Sequence, residues 1–385
     1  MRVHNPINHG RVWPQAATAA LLAVAVSAAV ASESQEGVSM VYPARLAASS
    51  LVLDTHTLDD GYVAVGERGH ILLSSEGKEW RQIENVPTRA TLTAVTVVGD
   101  QLWAVGHDAV VLHSADAGAT WELQYSDPDA EQPLMDVLFL DQQRGIAIGA
   151  YSLVMLTDDG GENWDVASML DIKNGELADW WAQQESADSE DDEALDDEAD
   201  ADDESFADDE LVDDEWADDE DEFVEDDIEY HLNAIIPLDD DQLLIAGEAG
   251  NGYFSDDAGE SWWHFSFPYT GSMFGLIRES DDCILAYGLR GHIQRTCDNG
   301  LNWSEINNDN KASLFGAVRR NGEVILVGSN GAFIRLPAGA TSATAGRLEG
   351  GEDLAAVLFA EQTLVTAGED GLNEVAMQSV EGDRS

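Results

Sequence analysis

Residues 243–262 read LLIAGEAGNGYFSDDAGESW, and this stretch decides the fold. A short apolar run ends at Gly247, and a turn-like sequence then leads to Trp262. The apolar run ending in glycine recurs at Gly66, Gly106, Gly149, Gly247, Gly288, Gly328 and Gly368. The intervals are 40, 43, 98, 41, 40 and 40 residues, so one period is kept if the long interval holds a single insertion. A period of about 40–45 residues with β-type segments indicates the blades of a β-propeller.

The turn before the tryptophan follows the pattern S/T-x-D-x-G-x-T/S/N-W, which is that of the Asp-box or bacterial neuraminidase repeat. Its four matches contain Asp116, Asp159, Asp257, Asp298, Trp121, Trp164, Trp262 and Trp303. The aspartate can accept a backbone N–H two residues on, and the glycine supplies the positive φ of the turn. The tryptophan can cover the seam to a neighbouring blade with a large apolar area. We therefore predict that these residues are structural and not catalytic.

The predicted fold is all-β, a seven-bladed β-propeller over residues 38–377 with Asp-box turns and a disordered acidic insertion. The blades are predicted near 51–90, 91–133, 134–170, 231–271, 272–311, 312–350 and 351–377. The seventh blade ends without a tryptophan strand, and an open ring would expose a strand edge. We therefore expect residues 39–46 (SMVYPARL) to supply the missing outer strand. Residues 378–385 form a tail.

The N-terminus has the pattern of an export signal. Arg2 and Arg11 precede the apolar run 16–30, and Ala29-Val30-Ala31 fits cleavage after Ala31. The run is short for a membrane span, which needs about 20 apolar residues. Residues 1–31 are therefore predicted to be a signal peptide, with an uncleaved anchor as the alternative. The mature chain is expected not to span the membrane and to lie in the periplasm, the cell envelope or the medium.

The charge of the chain is strongly acidic, with a formal net value of -58. This argues against nucleic acid as a partner, since phosphate backbones require Lys and Arg. Residues 185–229 hold 28 of the 76 acidic residues and no Lys or Arg, so this acidic arm is predicted to be disordered. Its scattered apolar residues are typical of docking segments that fold on binding, but a solubilising spacer fits equally well. The arm has no glycine, which argues against an EF-type calcium loop.

Two cysteines, Cys283 and Cys297, are predicted on neighbouring strands of blade five. Antiparallel pairing places them at or beside opposite positions, and an oxidising compartment then favours a disulfide. A slip of one residue in register would misalign their Cβ vectors, so free thiols remain the alternative. The sequence has neither a His/Cys cluster with zinc spacing nor a phosphate-binding glycine loop at a strand–helix junction. No metal and no cofactor are predicted.

In a four-stranded blade the turns between strands two and three lie opposite the Asp-boxes. The connections between blades lie on the same face, around the central channel where propellers usually bind ligands. The candidate binding residues of this face are Glu67, Arg68, Arg89, His107, Tyr151, Arg290, Lys311 and Asn330. Its arginines are notable because the whole chain has only 18 Lys and Arg. The alternative is that these are ordinary solvated turn residues. The acidic arm leaves blade three on this face, so we expect it to be able to cover the basic turns.

The stretch Val65-Gly66-Glu67-Arg68-Gly69-His70-Ile71-Leu72-Leu73-Ser74, followed by repeated Asp-boxes, resembles the photosystem II assembly and stability factor family and its non-photosynthetic bacterial relatives. The resemblance covers roughly residues 45–377 without the insertion. It implies an exported, non-enzymatic scaffold that docks on or assists a membrane-protein complex or transporter of the envelope. The oligomeric state is not predicted.

The alternative function is a carbohydrate-binding propeller or a sialidase-like glycoside hydrolase. Sialidases share the Asp-boxes but add an arginine triad, a Tyr–Glu pair and an aspartic acid; the arginines grip the substrate carboxylate. The nearest match to their first arginine motif is Arg335-Leu336-Pro337, which lies in blade six and not ahead of the first Asp-box. No Tyr–Glu–Arg set can be assigned by position. Catalysis is therefore not expected.

Overall fold

The chain folds as short antiparallel strands because its apolar runs of five or six residues alternate with glycine-rich or acidic turns. The computed structural model describes residues 40–168, 230–239 and 241–375. The predicted signal peptide 1–31, acidic arm 185–229 and tail 378–385 lie outside these ranges. The described strands form seven sheets arranged as a seven-bladed β-propeller, which confirms the predicted fold class.

Each sheet is a meander of consecutive strands. Blades one to three contain β1 (Val52–Leu58), β2 (Gly61–Gly66), β3 (Ile71–Ser74), β4 (Arg81–Gln82), β5 (Leu92–Val98), β6 (Gln101–Gly106), β7 (Val111–Ser114), β8 (Glu122–Tyr125), β9 (Leu134–Phe139), β10 (Gly145–Gly149), β11 (Leu153–Thr157) and β12 (Asp165–Ser168). Blades four and five contain β13 (Leu232–Pro237), β14 (Leu243–Gly247), β15 (Asn251–Ser255), β16 (Trp263–Ser266), β17 (Met273–Arg278), β18 (Ile284–Gly288), β19 (Ile293–Thr296) and β20 (Ser304–Glu305). Blades six and seven contain β21 (Leu314–Arg320), β22 (Glu323–Gly328), β23 (Ala332–Pro337), β24 (Thr344–Arg347), β25 (Leu354–Ala360), β26 (Thr363–Gly368) and β27 (Gly371–Val375).

The first strand of every blade lies innermost. Each inner strand packs beside the inner strand of the next blade, and β25 of blade seven packs beside β1 of blade one, which closes the ring. The hydrophobic core is accordingly distributed over the seams between blades. One buried cluster joins blades one and two and includes Trp121, and further clusters containing Trp262 and Trp303 join blades three to four and four to five. The tryptophans therefore cover seams.

The repeated glycine ends the second strand of its blade, where the backbone before strand one passes very close. A Cβ at Gly66 would lie 2.1 Å from the carbonyl oxygen of Leu51, and one at Gly328 would lie 1.9 Å from that of Ser313. The next residue then donates its N–H to the same carbonyl, as Glu67 does to Leu51 at 3.0 Å. The inner strand bulges at this point in all seven blades. The periodic glycine thus reflects a close approach of two backbones.

The four aspartate turns, at residues 114–121, 157–164, 255–262 and 296–303, have one hydrogen-bond pattern. In blade two the hydroxyl of Ser114 donates to Asp116 at 2.9 Å, and Thr120 donates its N–H and its hydroxyl to Asp116, each at 2.7 Å. Gly118, at φ 85°, donates its N–H to the oxygen of Ser114. The aspartate therefore accepts the N–H four residues on, not two residues on as expected, because the serine oxygen takes the nearer donor.

Cys283 and Cys297 are joined by a disulfide, with their Cα atoms 4.2 Å apart. They extend the register in which Ile284 faces Thr296, at the ends of β18 and β19. The bridge therefore ties the two middle strands of blade five at the end nearer the aspartate turn.

The expectation that residues 39–46 complete blade seven is wrong for the described residues 40–46. The seventh sheet has three strands within the described ranges, and this segment forms no strand. It runs along blade one instead: Val41 donates its N–H to the carbonyl of Val86 at 2.9 Å, and the side chain of Gln82 bonds both Tyr42 and Ala44. Side chains of blade one hold this segment, and strand periodicity alone does not predict such contacts.

Candidate binding face and central channel

The face opposite the aspartate turns carries the turns between second and third strands and the connections between blades; we call it the turn face. In six blades the residue in the middle of this turn has a positive φ, between 55° and 61°. Those residues are Arg68, Asp108, Tyr151, Ala249, Arg290 and Asn330. All six residues are exposed, so the position can contact a partner.

The structure places the predicted binding residues on this face. Arg68 is 74% exposed and pairs with Glu67 of its own turn at 3.7 Å. Tyr151 is 48% exposed and packs edge-to-face on the ring of His231. The other exposed members are His107, Arg290, Lys311 and Asn330. These residues are spread over turns and connections of several blades, and none of them lines the two cavities at and below the mouth of the central channel.

Arg89 differs from the other candidates because its guanidinium contacts residues 40–42. Its Nε donates to the carbonyl of Met40 at 2.7 Å, and its guanidinium lies 3.8 Å from the ring centroid of Tyr42. Arg89 therefore holds residues 40–42 against blade one and is not an open anion-binding group.

The mouth of the channel is formed by the bulged residue of each inner strand, one per blade; we call these seven residues the bulge ring. The ring consists of Leu53, Thr93, Met135, Asn233, Phe274, Phe315 and Ala355. It lines a cavity of about 560 Å³ that is bordered on the turn face by Leu51, Asp353, Gly368 and Glu369. The bulges thus aim seven side chains at one opening.

The bulge ring is mostly apolar, and its two polar members are already bonded. Thr93 donates to the carbonyl of Leu134 at 2.7 Å, and Asn233 donates to that of Met273 at 2.9 Å, each reaching the next inner strand. The rings of Phe274 and Phe315 lie 5.3 Å apart, and Phe315 remains 37% exposed. The apolar residues of the bulge ring, which we call its apolar collar, can bind an apolar side chain.

A second cavity of about 200 Å³ lies below the bulge ring and shares its residues. Asp54 and Asp136 line it from the positions that follow the bulges of blades one and three. Asp54 accepts the N–H of Val95 and Asp136 that of Ile235, both at 2.9 Å, so each carboxylate bridges to the next inner strand. Burial raises the pKa of Asp136 to about 7, and the nearby charge of Asp54 adds to the rise. The hydrogen bonds that Asp136 accepts from backbone N–H groups lower its pKa but do not offset the burial. Burial likewise raises the pKa of Asp54.

A metal site and a sialidase-type arginine site find little support in the described residues. No group of three or more His, Cys, Asp or Glu there is arranged to hold a metal ion. Arg335, the nearest match to a sialidase arginine, pairs with Glu323 through two bonds of 2.9 and 3.1 Å. That guanidinium is therefore engaged within blade six. No helix in the described ranges is both long and apolar enough to cross a membrane.

Sequence reasoning missed the bulge ring and the two channel aspartates. A signal was present, since every bulge residue precedes its blade's repeated glycine by 13 or 14 positions. Strand periodicity does not show which inner-strand residue faces the channel, because each bulge shifts the alternation by one residue. The aspartates were hidden in a chain with 76 acidic residues.

Fold and site together define a seven-bladed propeller with an open, partly apolar channel mouth on its turn face. No family model matches the chain, and no curated protein matches it. Several solved propellers share its fold.

A structure described as YCF48 bound to D1 peptide matches with a TM-score of 0.59 and 15% identity, over 89% of this chain and 99% of that one. YCF48 from Cyanidioschyzon merolae matches with a TM-score of 0.57 and 15% identity, over 89% and 99% of the two chains. The WD40 propeller domain of Doa1 matches with a TM-score of 0.56 and 10% identity, over 88% and 94%. These likenesses establish the propeller fold of the chain.

Proposed function

We propose that this chain is an exported, non-enzymatic propeller that docks a segment of a membrane-protein complex or transporter of the cell envelope at its channel mouth. The observation that carries the proposal is the bulge ring. Seven strands direct one residue each at a single opening, and apolar side chains dominate it. Propellers commonly bind ligands at this place.

The comparisons support a binding function in general terms. One of the similar propellers, YCF48, is described with a bound D1 peptide. The sequence resemblance to photosystem II assembly factors points the same way, as does the predicted signal peptide. A carbohydrate ligand remains the alternative from the sequence, but no observation on the described residues favours it.

The test is capture of a partner from envelope extract with the full chain. We expect the wild-type chain to retain one or a few membrane proteins and Phe315→Ser to lose them, because the substitution removes apolar surface from the mouth. Leu301→Ser is the matched control: Leu301 is 36% exposed, close to the 37% of Phe315, but lies in an aspartate turn on the opposite face.

Equal capture by the wild-type chain and both variants would contradict docking at the mouth. Loss of capture in Leu301→Ser alone would move the docking surface to the aspartate-turn face. Activity on fluorogenic sialosides and other glycosides, measured with the same preparations, would favour the carbohydrate alternative.

A further inference from the structure

The cavity below the bulge ring contains a buried polar group that the fold does not use. Tyr287 on β18 is only 5% exposed, and its ring lies over Gly275, where a Cβ would be 2.3 Å from the hydroxyl oxygen. Tyr287 lines the same cavity as Asp54 and Asp136. Among the described residues its hydroxyl has no hydrogen-bond partner. The hydroxyl oxygen is not among the fully enclosed side-chain atoms that lack a partner, so it is open to the cavity, where a ligand or water can bond it.

This cavity is negative when its two carboxyl groups are ionised. The two carboxylates face it together with the Tyr287 hydroxyl, and burial and the nearby Asp136 and Asp54 raise the pKa of Tyr287, which keeps the hydroxyl protonated. No Lys or Arg is among the described residues that line either channel cavity. At the mouth, Asp353 and Glu369 add further negative charge. An organic cation is the complementary ligand.

The order of groups along the channel fits an alkyl chain that ends in a charge. The apolar collar comes first from the turn face, and the carboxylates follow one residue deeper, about 3.3 Å along the strand. A lysine side chain has this arrangement, a flexible four-carbon stem with a compact ammonium at its end. The stem would pass the phenylalanines while the ammonium reached the carboxylates.

We propose that the central channel binds an alkylammonium group, supplied by a lysine side chain of the docked segment. Asp54 and Asp136 provide the counter-charge, and the Tyr287 hydroxyl oxygen accepts a hydrogen bond from the ammonium. The source of the ammonium rests on the proposed function, whereas the site itself does not.

The first experiment titrates the full chain with n-hexylammonium and with n-hexanol, which has the same stem and a neutral head. At pH 8 Asp136 is ionised, and we expect the amine to bind at least tenfold more tightly than the alcohol. In Tyr287→Phe the affinity for the amine should fall at least fivefold, because one oxygen ligand is lost while the fold loses no hydrogen bond. Addition of the amine should also lower the titration midpoint of Asp136 in carboxyl NMR spectra.

Tyr253→Phe is the matched control, since Tyr253 is a buried tyrosine on β15 that does not line the channel cavities. It should bind the amine like the wild-type chain. Equal affinities for amine and alcohol, or an unchanged affinity in Tyr287→Phe, would overturn the site. The collar alone would then explain any binding.

The second experiment identifies the source of the ammonium. n-Hexylammonium should release the membrane proteins captured by the wild-type chain, and n-hexanol should not at the same concentration. If the amine binds but releases nothing, the lysine assignment is wrong and the site serves a free amine. If no partner is ever captured, the proposed function fails, while the titration still decides the channel site.

Discussion

At the scale of the residue, the repeated glycines show two different physical requirements. Gly118, Gly161, Gly259 and Gly300 have φ values between 85° and 94°, which the aspartate turns need. Gly66 and its equivalents are extended, with a φ of -175° at Gly66 itself, so conformational freedom is not their reason. They are glycine because a carbonyl oxygen occupies the place of a Cβ.

Gly328→Ala should therefore destabilise the propeller strongly. The new Cβ would lie 1.9 Å from the carbonyl oxygen of Ser313, so the inner strand of blade six must shift. Overpacking of this kind costs about 1–3 kcal/mol, and a backbone obstacle favours the upper end. Urea unfolding monitored by tryptophan fluorescence measures the loss.

Gly346→Ala is the control within the same blade. Its Cβ would meet only the carbonyl oxygen of Phe333 at 3.6 Å, an ordinary contact, and its φ is not positive. We expect a change within about 0.5 kcal/mol. Similar losses in the two variants would show that the close approach is not the reason for the glycine.

At the scale of the element, each aspartate turn is a closed network of short-range bonds between strands three and four. Asp116 accepts bonds from Ser114 and Thr120, and the equivalent bonds recur at Asp159 with Thr157 and Asn163. Burial tends to raise the pKa of Asp116, but the bonds from Thr120 and Ser114 outweigh it and lower the pKa. The ionised form is therefore the one that stabilises the turn.

Asp116→Ala should lower the free energy of unfolding by about 1–2 kcal/mol at pH 7, as the loss of a capping side chain does. The folded-state pKa is depressed, so the contribution is present above the unfolded value of 3.8 and is lost as the pH falls through the folded pKa. The difference between variant and wild type should shrink accordingly in urea unfolding below pH 4. Asp158→Ala, at an exposed neighbour of Asp159, should have little effect at any pH; a constant deficit in Asp116→Ala would refute the role of its charge.

At the scale of the whole molecule, the ring closes through the packing of β25 against β1, and the N-terminal segment lies across blade one. Two side chains hold that segment: Gln82 bonds Tyr42 and Ala44, and Arg89 bonds Met40 and covers Tyr42. A Cβ at Gly371 of blade seven would lie 2.1 Å from the carbonyl oxygen of Ala48. Residues 40–48 therefore contact both blades that meet at the closure.

Arg89→Ala should release residues 40–46 without unfolding the ring. Loss of about 1.4 kcal/mol of local stability corresponds to a tenfold change in the open population, and cleavage of an opened segment follows that population. We expect trypsin to cut after the exposed Arg45 roughly ten times faster. Arg81→Ala removes a tryptic site at an exposed position of β4 and should leave the rate after Arg45 unchanged; equal acceleration in both variants would contradict the role of Arg89.

Much of the fold was predictable from local patterns. Each apolar run and each aspartate turn is a short, contiguous pattern, and the blades repeat these patterns at one period, so both are visible in one sequence. The blade predicted near 351–377, for example, contains β25, β26 and β27. The predicted turn-face residues lie on one face for the same reason, because strand order alone assigns turns to faces.

The sequence by itself determined that this chain is a propeller of seven blades, because each blade repeats an apolar run that ends in glycine. Only the tertiary structure decided what lies at the channel. The bulge ring brings together one residue from each of the seven blades, at the point where each inner strand bulges beside its own repeated glycine. Asp54, Asp136 and Tyr287 of three different blades line the cavity below it. The course of residues 40–46 was decided in the same way, by Gln82 and Arg89, which lie 38 and 49 residues from their partners Ala44 and Met40. Contacts between distant residues depend on closure of the ring, which no local pattern encodes.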